Sequence, residues 1–236
     1  MNVYKTSQVR NVVFLGHGGA GKTTLAEAMA YATGVITRMG SVDNGNTISD
    51  YDSEEIKRKF SINAAVIPIE WNGLKINILD APGYFDFVGQ TEDAMSVADA
   101  AVIVVNGKAG LEVGTIKAWE ICERRKIPRI FFITGMDDPN AKYMETVKQL
   151  KETFGKQIAP FHLPIIEDGI LTGYVNVVKM GGRKFVGDNG EYVERDIPDN
   201  LESDLIPCRE QLTLMKIIPH PWMNNTVYST DMFGVT

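Results

Sequence analysis

The 236-residue sequence predicts an α/β fold: a doubly wound, mostly parallel sheet with helices on both faces. Three observations carry that expectation. Residues 11–16 (NVVFLG), 100–105 (AAVIVV) and 129–134 (RIFFIT) are short apolar runs, as in strands covered on both faces. Helical stretches alternate with them. The first run also passes through a glycine-rich turn directly into a helix, the strand–turn–helix order of a βαβ unit.

Taken in order, residue 16 ends the first strand. Leu25, Met29 and the surrounding alanines give the helix, and Gly34 is placed to stop it. Residues 34–63 are polar and poorly patterned, far longer than the usual connection of about 4–6 residues. Within them, Asp52 and Glu55 read as the capping box of a short helix. Residues 64–71 and 75–80 flank Asn72-Gly73, a strong hairpin signal, and Pro68 places the first of these strands toward an edge. Residues 113–125 read as a helix. So do residues 139–154, with Tyr143, Val147, Leu150 and Phe154 on one stripe and Gly155 as the stop. Beyond Gly155 the character changes to short strands at 161–166, 173–179 and 183–186. Gly181-Gly182 and residues 188–190 read as the turns between them. Residues 200–212 are weakly helical and interrupted by Pro207. The domain expectation is therefore a core over 1–157, an insert over 158–212 and an atypical tail over 213–236.

Hydrophobic residues make up 44% and charged residues 23%, which excludes disorder, collagen and coiled coil as whole-chain readings. Lys plus Arg is 24 and Asp plus Glu is 30, a net charge of −6. Bulk charge therefore argues against polyanion binding, and no sequence-specific nucleic-acid contact is expected. Two cysteines fit a reducing, cytoplasmic setting without a disulfide framework, and Cys122 reads as core. No signal peptide or membrane span is evident. His162 and His220 have no metal-ligand spacing.

Gly16-His17-Gly18-Gly19-Ala20-Gly21-Lys22-Thr23 matches the phosphate-loop pattern G-x-x-x-x-G-K-[ST], in its required context. Its glycines let successive backbone N–H groups turn onto phosphate oxygens, and the helix that follows, through Thr24, adds its positive end. Lys22 would neutralise β/γ-phosphate charge, and the Thr23 hydroxyl would bind Mg²⁺. Asp80-Ala-Pro-Gly83 ends a strand beside that loop. There Asp80 suits a carboxylate behind the metal, and Gly83 a backbone N–H approaching a γ-phosphate. The competing reading of each motif is an ordinary glycine or proline turn.

These motifs, with the stretches GHGGAGKTTLAEAMAYATG, SDYDSEEIKRKFSI, DAPGYFDFVGQTEDAMSVADAAVIVV and IPRIFFITGMDD, closely resemble elongation factor G, especially its elongation-factor-G-like paralogues. Tetracycline-resistance ribosome-protection proteins are more distant relatives. The resemblance covers about residues 9–212, and its later part (FHLPIIEDG, GYVNVVKM, IPDNLESDL, CREQL) looks like the start of that family's G-prime insert. It implies a P-loop GTPase core with a partial G-prime-like insert. The implied activity is Mg²⁺-dependent GTP hydrolysis to GDP and phosphate, with the ribosome as partner. By position it implies that Ser61, in the run Lys59-Phe-Ser61-Ile62, supplies a metal-binding hydroxyl in the GTP state. Lys22, Gly83 and Tyr84 become the catalytic candidates. Residues 17–24, Asp80, Gly83, Thr134 and Asp137 become nucleotide contacts, and Thr23, Ser61 and Asp80 the metal ligands.

The chain departs from the family at defined points. Tyr84 stands where elongation factor G has a water-orienting histidine; a phenol hydrogen-bonds water but is a poor base near neutrality. Gly19 replaces an aspartate. Thr134 and Gly135 replace the Asn-Lys of the base-recognition loop, which leaves Asp137 and predicts a guanine preference weakened by about 1–3 kcal/mol per lost contact. Residues 215–236 match neither the family's last strand nor its Ser-Ala-x loop nor its last helix. The sequence thus reads as a C-terminally truncated G domain, from a frameshift or truncation, or as a short natural form. Two alternatives stay open: a nucleotide-binding fragment with little hydrolysis, and a P-loop NTPase with relaxed base specificity.

Overall fold

The computed structural model describes residues 2–187 and 191–214. It divides into two compact units, Met1–Gly135 and the residues from Met136 on. The expected turn at 188–190, and the expected tail from residue 215, lie outside the described residues.

The first unit holds β1 (Val9–Gly16), α1 (Lys22–Ala32), α2 (Ser53–Arg58), β2 (Ala65–Trp71), β3 (Leu74–Asp80), α3 (Val88–Ser96), β4 (Ala100–Asn106), α4 (Val113–Arg125) and β5 (Arg129–Thr134). Its sheet runs β2-β3-β1-β4-β5. β1 pairs in parallel with β3 and β4, and β4 with β5, while β2 is antiparallel to β3. The edge strand carries Pro68, opposite Asn77, where no ladder donor is needed on the outer side. Asn72 and Gly73 close the hairpin with φ of 46° and 75°, the two positive values that a tight primed turn requires. β1 and β4 are central, so both of their faces are covered, and Val13, Ala101, Ile103, Val104 and Val105 are almost fully buried. Helix α1 packs on β1, β2 and β3, and α4 on β1 and β4.

The capping box forms as expected. Asp52 accepts from the Glu54 N–H at 2.8 Å, and Glu55 accepts from the Asp52 N–H at 3.2 Å. Helix α3 was not legible in the sequence, because VGQTEDAMS has no strong apolar stripe and only Ala94 and Met95 are buried.

The second unit holds α5 (Tyr143–Phe154), β6 (His162–Glu167), β7 (Ile170–Asn176), β8 (Gly181–Val186), β9 (Glu191–Arg195) and α6 (Asp199–Leu214). The four strands form an antiparallel meander. Its core joins Leu163, Ile165, Val175 and Val177 of the sheet region to Leu205 and Cys208 of α6, with Tyr143 of α5 against it. Four expectations change, the first being the strand expected over 173–179, which is Ile170–Asn176 because the chain turns at Asn176. Helix α5 starts at Tyr143 rather than 139, because Asp138 holds a tight turn by accepting from the Asn140 N–H at 2.8 Å. Gly181-Gly182 begins a strand; the turn lies just before it, where Asn176 accepts from the Lys179 N–H. Helix α6 runs through Pro207 without ending, since burial of Leu205 and Cys208 on either side outweighs the lost hydrogen bond.

Candidate functional site

The site grows from the carboxyl ends of β1 and β3. β1 ends at Gly16, whose φ is 139° and where a Cβ would lie 2.3 Å from the Val104 carbonyl oxygen. Only glycine fits there. The loop then turns through Gly19 (φ 80°) and Gly21 (φ 91°) into α1. Thr134, at the end of β5, donates its hydroxyl to the Ala20 carbonyl at 2.6 Å and so braces the loop from below. That hydroxyl is thereby committed to the backbone.

Lys22 opens α1 and is buried. Its ammonium donates to the Gly16 and His17 carbonyls at 3.2 and 2.9 Å. Burial lowers its pKa, opposed by the charges of Asp80 and Glu112. A Cβ on Gly83 would stand 2.4 Å from Lys22 Nζ and 2.7 Å from the Gly18 nitrogen. The segment after β3 therefore comes right up to the phosphate loop, and a side chain at residue 83 would close that gap.

Thr23 donates its hydroxyl to Asp80 at 2.7 Å and lies 3.2 Å from the Ser61 hydroxyl. Ser61 in turn donates to Asp50 at 2.8 Å. Residues 38 and 57 positions apart from Thr23 thus meet at one hydroxyl. Burial pushes Asp80 up to about 6, against the Thr23 hydrogen bond and the Lys22 charge. Asp50 is also raised, by burial first. Asp80 Oδ1 and Asp50 Oδ2 are buried without a hydrogen-bond partner. Two carboxylates with unused buried oxygens and two hydroxyls form an oxygen-only donor set. That set fits a small hard cation such as Mg²⁺, which keeps other ligands from water or phosphate. Among the described residues there is no group of three or more His, Cys, Asp or Glu side chains placed to hold a metal.

Two buried glutamates hold the long loop onto this site. Glu27 of α1 accepts from the Gly40 N–H at 2.8 Å and from the Ile48 N–H. Glu55 accepts from the Ile62 and Asn63 N–H groups at 2.9 and 2.8 Å, which fixes the chain just after Ser61. Sequence reasoning missed Asp50 and Glu27 and read Glu55 only as a cap. Acidic residues in a polar loop carry no spacing signal, and only their burial marks them.

His17 accepts from the Gly114 N–H at Nδ1 (3.3 Å), and its Nε2 faces Glu112 at 3.5 Å. The ring thus ties the phosphate loop to the start of α4. Tyr84 lies over Gly18. Thr24 is exposed on α1, and Asp137 is exposed in the second unit. Cys122 is buried in α4, and burial pushes its thiol up to about 11.

A family model for the elongation factor Tu GTP binding domain matches residues 7–221. The chain belongs to that family. It is 35% identical to elongation factor G of Gluconobacter oxydans over 210 residues, 87% of this chain and 30% of that protein. It is 39% identical over 156 residues to an elongation factor G-like protein of Mycobacterium tuberculosis, covering 66% of this chain and 22% of the relative. A mitochondrial ribosome-releasing factor 2 of Culex quinquefasciatus is 33% identical over 180 residues, 76% of this chain and 24% of that protein. A crystal structure of a Thermus thermophilus protein superposes with a TM-score of 0.82 at 35% identity, over 87% of this chain and 31% of that one. The chain thus spans under a third of the relatives it matches, and the P-loop α/β fold of the elongation-factor GTPases is its fold. No helix among the described residues is long and apolar enough to cross a membrane.

Proposed function

We propose that this chain binds GTP and GDP with Mg²⁺ and hydrolyses GTP to GDP and phosphate, as the G domain of an elongation-factor-G-like translation factor. The observation that carries this reading is the convergence of Lys22, Thr23, Ser61, Asp80 and Gly83 on one buried cluster. Lys22 would supply charge for β/γ-phosphate oxygens, and the Gly83 N–H would meet the γ-phosphate side. Thr23 and Ser61 would hold the metal with Asp80 behind it; bound Mg²⁺ would neutralise charge on the phosphate oxygens. Phosphoryl transfer needs little more than such positioning. In this reading residues 1–157 are the core and residues 158–212 the insert, as the family resemblance implies, and the ribosome is the macromolecular partner.

Tyr84 favours a second reading, a nucleotide binder with little hydrolysis, because its ring lies on the phosphate loop in place of a base. Thr134 favours relaxed base choice, because its hydroxyl is bonded to Ala20.

Titration of the chain with fluorescent GDP and Mg²⁺ tests the main proposal. Saturable binding displaced by GTP but not by equimolar ATP is expected; equal displacement by ATP overturns the guanine assignment. Single-turnover GTP hydrolysis with and without ribosomes then decides between enzyme and binder. A rate no higher than the protein-free blank in both conditions overturns the hydrolase.

A further inference from the structure

The sheet order sets which end of a bound nucleotide lies where, and this inference rests on the nucleotide-binding reading above. β1 leads into the phosphate loop, with β3 on one side and β4 then β5 on the other. Ligands of open parallel sheets lie across the carboxyl ends of the strands. The oxygen cluster around Thr23 and Asp80 stands at the end of β3. With the metal and terminal phosphate on that side, the base lies toward the ends of β4 and β5, at Asn106 and Thr134. Thr134 commits its hydroxyl to the Ala20 carbonyl. Gly135, which follows with φ of 65°, has no side chain to offer. The carboxamide of Asn106 is the group that remains.

Asn106 Oδ1 accepts from the Lys108 and Ala109 N–H groups at 2.9 and 3.1 Å. Two N–H donors at that end identify it as the oxygen, so the other end is Nδ2. Nδ2 is turned to Gly135: a Cβ on that glycine would lie 3.3 Å from it. Among the described residues no hydrogen bond uses Nδ2. The N7 edge of guanine presents two acceptors, N7 and O6, whereas adenine presents N7 beside an amino donor. A carboxamide reads adenine by using its oxygen and its nitrogen together. Here the oxygen is held by the turn, and the donor end that is left matches guanine. We propose that Asn106 is a specificity-determining residue whose Nδ2 donates to the O6 and N7 edge of guanine. The turn that holds its oxygen also fixes its aim. The Gly110 N–H donates to the Asn106 carbonyl, and the Gly107 N–H to the Thr134 carbonyl, each at 2.8 Å, which ties the ends of β4 and β5 together.

The test is displacement of fluorescent GDP, with Mg²⁺, from the intact chain by two unlabelled competitors. One is GDP; the other is the diphosphate of 2,6-diaminopurine riboside, which carries an amino donor in place of O6. Asn106→Asp keeps the oxygen that holds the turn and replaces the donor by an acceptor. It is expected to weaken GDP about tenfold and to tighten the diaminopurine nucleotide, so that the ratio of their affinities falls at least about thirtyfold. A turn-holding role alone moves both nucleotides by the same factor, and an unchanged ratio overturns the assignment. A second measurement uses the unsubstituted chain and depends on no variant. The diphosphate of 6-thioguanosine keeps N1–H and the 2-amino group but presents a weakly accepting sulfur. It is expected to bind about tenfold more weakly than GDP, and equal binding overturns the contact with O6. If the unsubstituted chain does not bind GDP, the nucleotide reading itself falls and the assignment with it.

Discussion

At the carboxyl end of the first unit's sheet, Lys22, Thr23, Ser49, Asp50 and Asp80 are all buried, whereas the second unit buries Leu163, Ile165, Val175, Val177, Leu205 and Cys208 in one cluster. The second unit also buries Asn176 and Arg183, but each is matched. Asn176 accepts from a turn N–H, and Arg183 donates to the Tyr174 hydroxyl at 2.8 Å and lies over the Tyr192 ring. In the first unit, Asp50 and Asp80 each retain a buried oxygen without a hydrogen bond. Burying a carboxylate costs several kcal/mol unless it is paired. Trp71 Nε1 and Thr115 Oγ1 are also buried without a partner, so what sets Asp50 and Asp80 apart is that their unmet atoms are carboxylate oxygens beside the Thr23 and Ser61 hydroxyls.

Substitutions can break this contrast in both directions. Leu163→Ala should cost about 2–5 kcal/mol of stability in urea melts, with nucleotide affinity unchanged, because it opens a cavity in an apolar core. A parallel loss of nucleotide affinity would show that the second core also serves the site. Lys22→Ala should do the reverse. It should lower affinity for fluorescent GTP by roughly a hundredfold, the loss of a charged hydrogen bond worth about 3 kcal/mol, while leaving Tm unchanged or raised. Glu55→Ala should cost about 2 kcal/mol and expose residues 59–63 to limited proteolysis, since two loop N–H groups lose their acceptor.

Asp80 gives a pH signature. Its pKa is raised by burial from 3.8 to about 6, so the folded chain binds the proton more tightly than the unfolded one. The stabilisation is fully present below about 4 and is lost as pH rises through about 6. In nucleotide- and metal-free buffer the Tm difference between wild type and Asp80→Asn should therefore shift across that window; a constant difference would show that Asp80 does not titrate there. The smallest effect belongs to Lys59, which caps α2 with φ of 60°. Lys59→Gly should change stability in urea melts by less than about 1 kcal/mol, as relief of left-handed strain offsets added chain entropy.

Much of the first unit was legible because its signals are local. The phosphate loop, the Asn72-Gly73 hairpin and the Asp52–Glu55 cap each lie within a few residues. Helix α3 escaped because its burial comes from neighbours rather than from its own pattern. Of the site, Lys22, Thr23 and Asp80 stood out by motif, and Ser61 only by family position. Asp50 and Glu27 gave no sequence signal, since each acts by meeting a group brought from elsewhere in the chain.

The sequence by itself determined the parallel α/β core, the edge position of Pro68, the phosphate-loop turn and membership of the elongation-factor family. Periodicity, turn chemistry and short motifs suffice for these because they depend on neighbours along the chain. Tertiary structure alone decided that Ser61 meets Thr23 across 38 positions, that Thr134 braces Ala20 across 114, and that the Tyr84 ring fills the space left by Gly18. Such contacts are set by the order of strands in the sheet, and no local pattern records them.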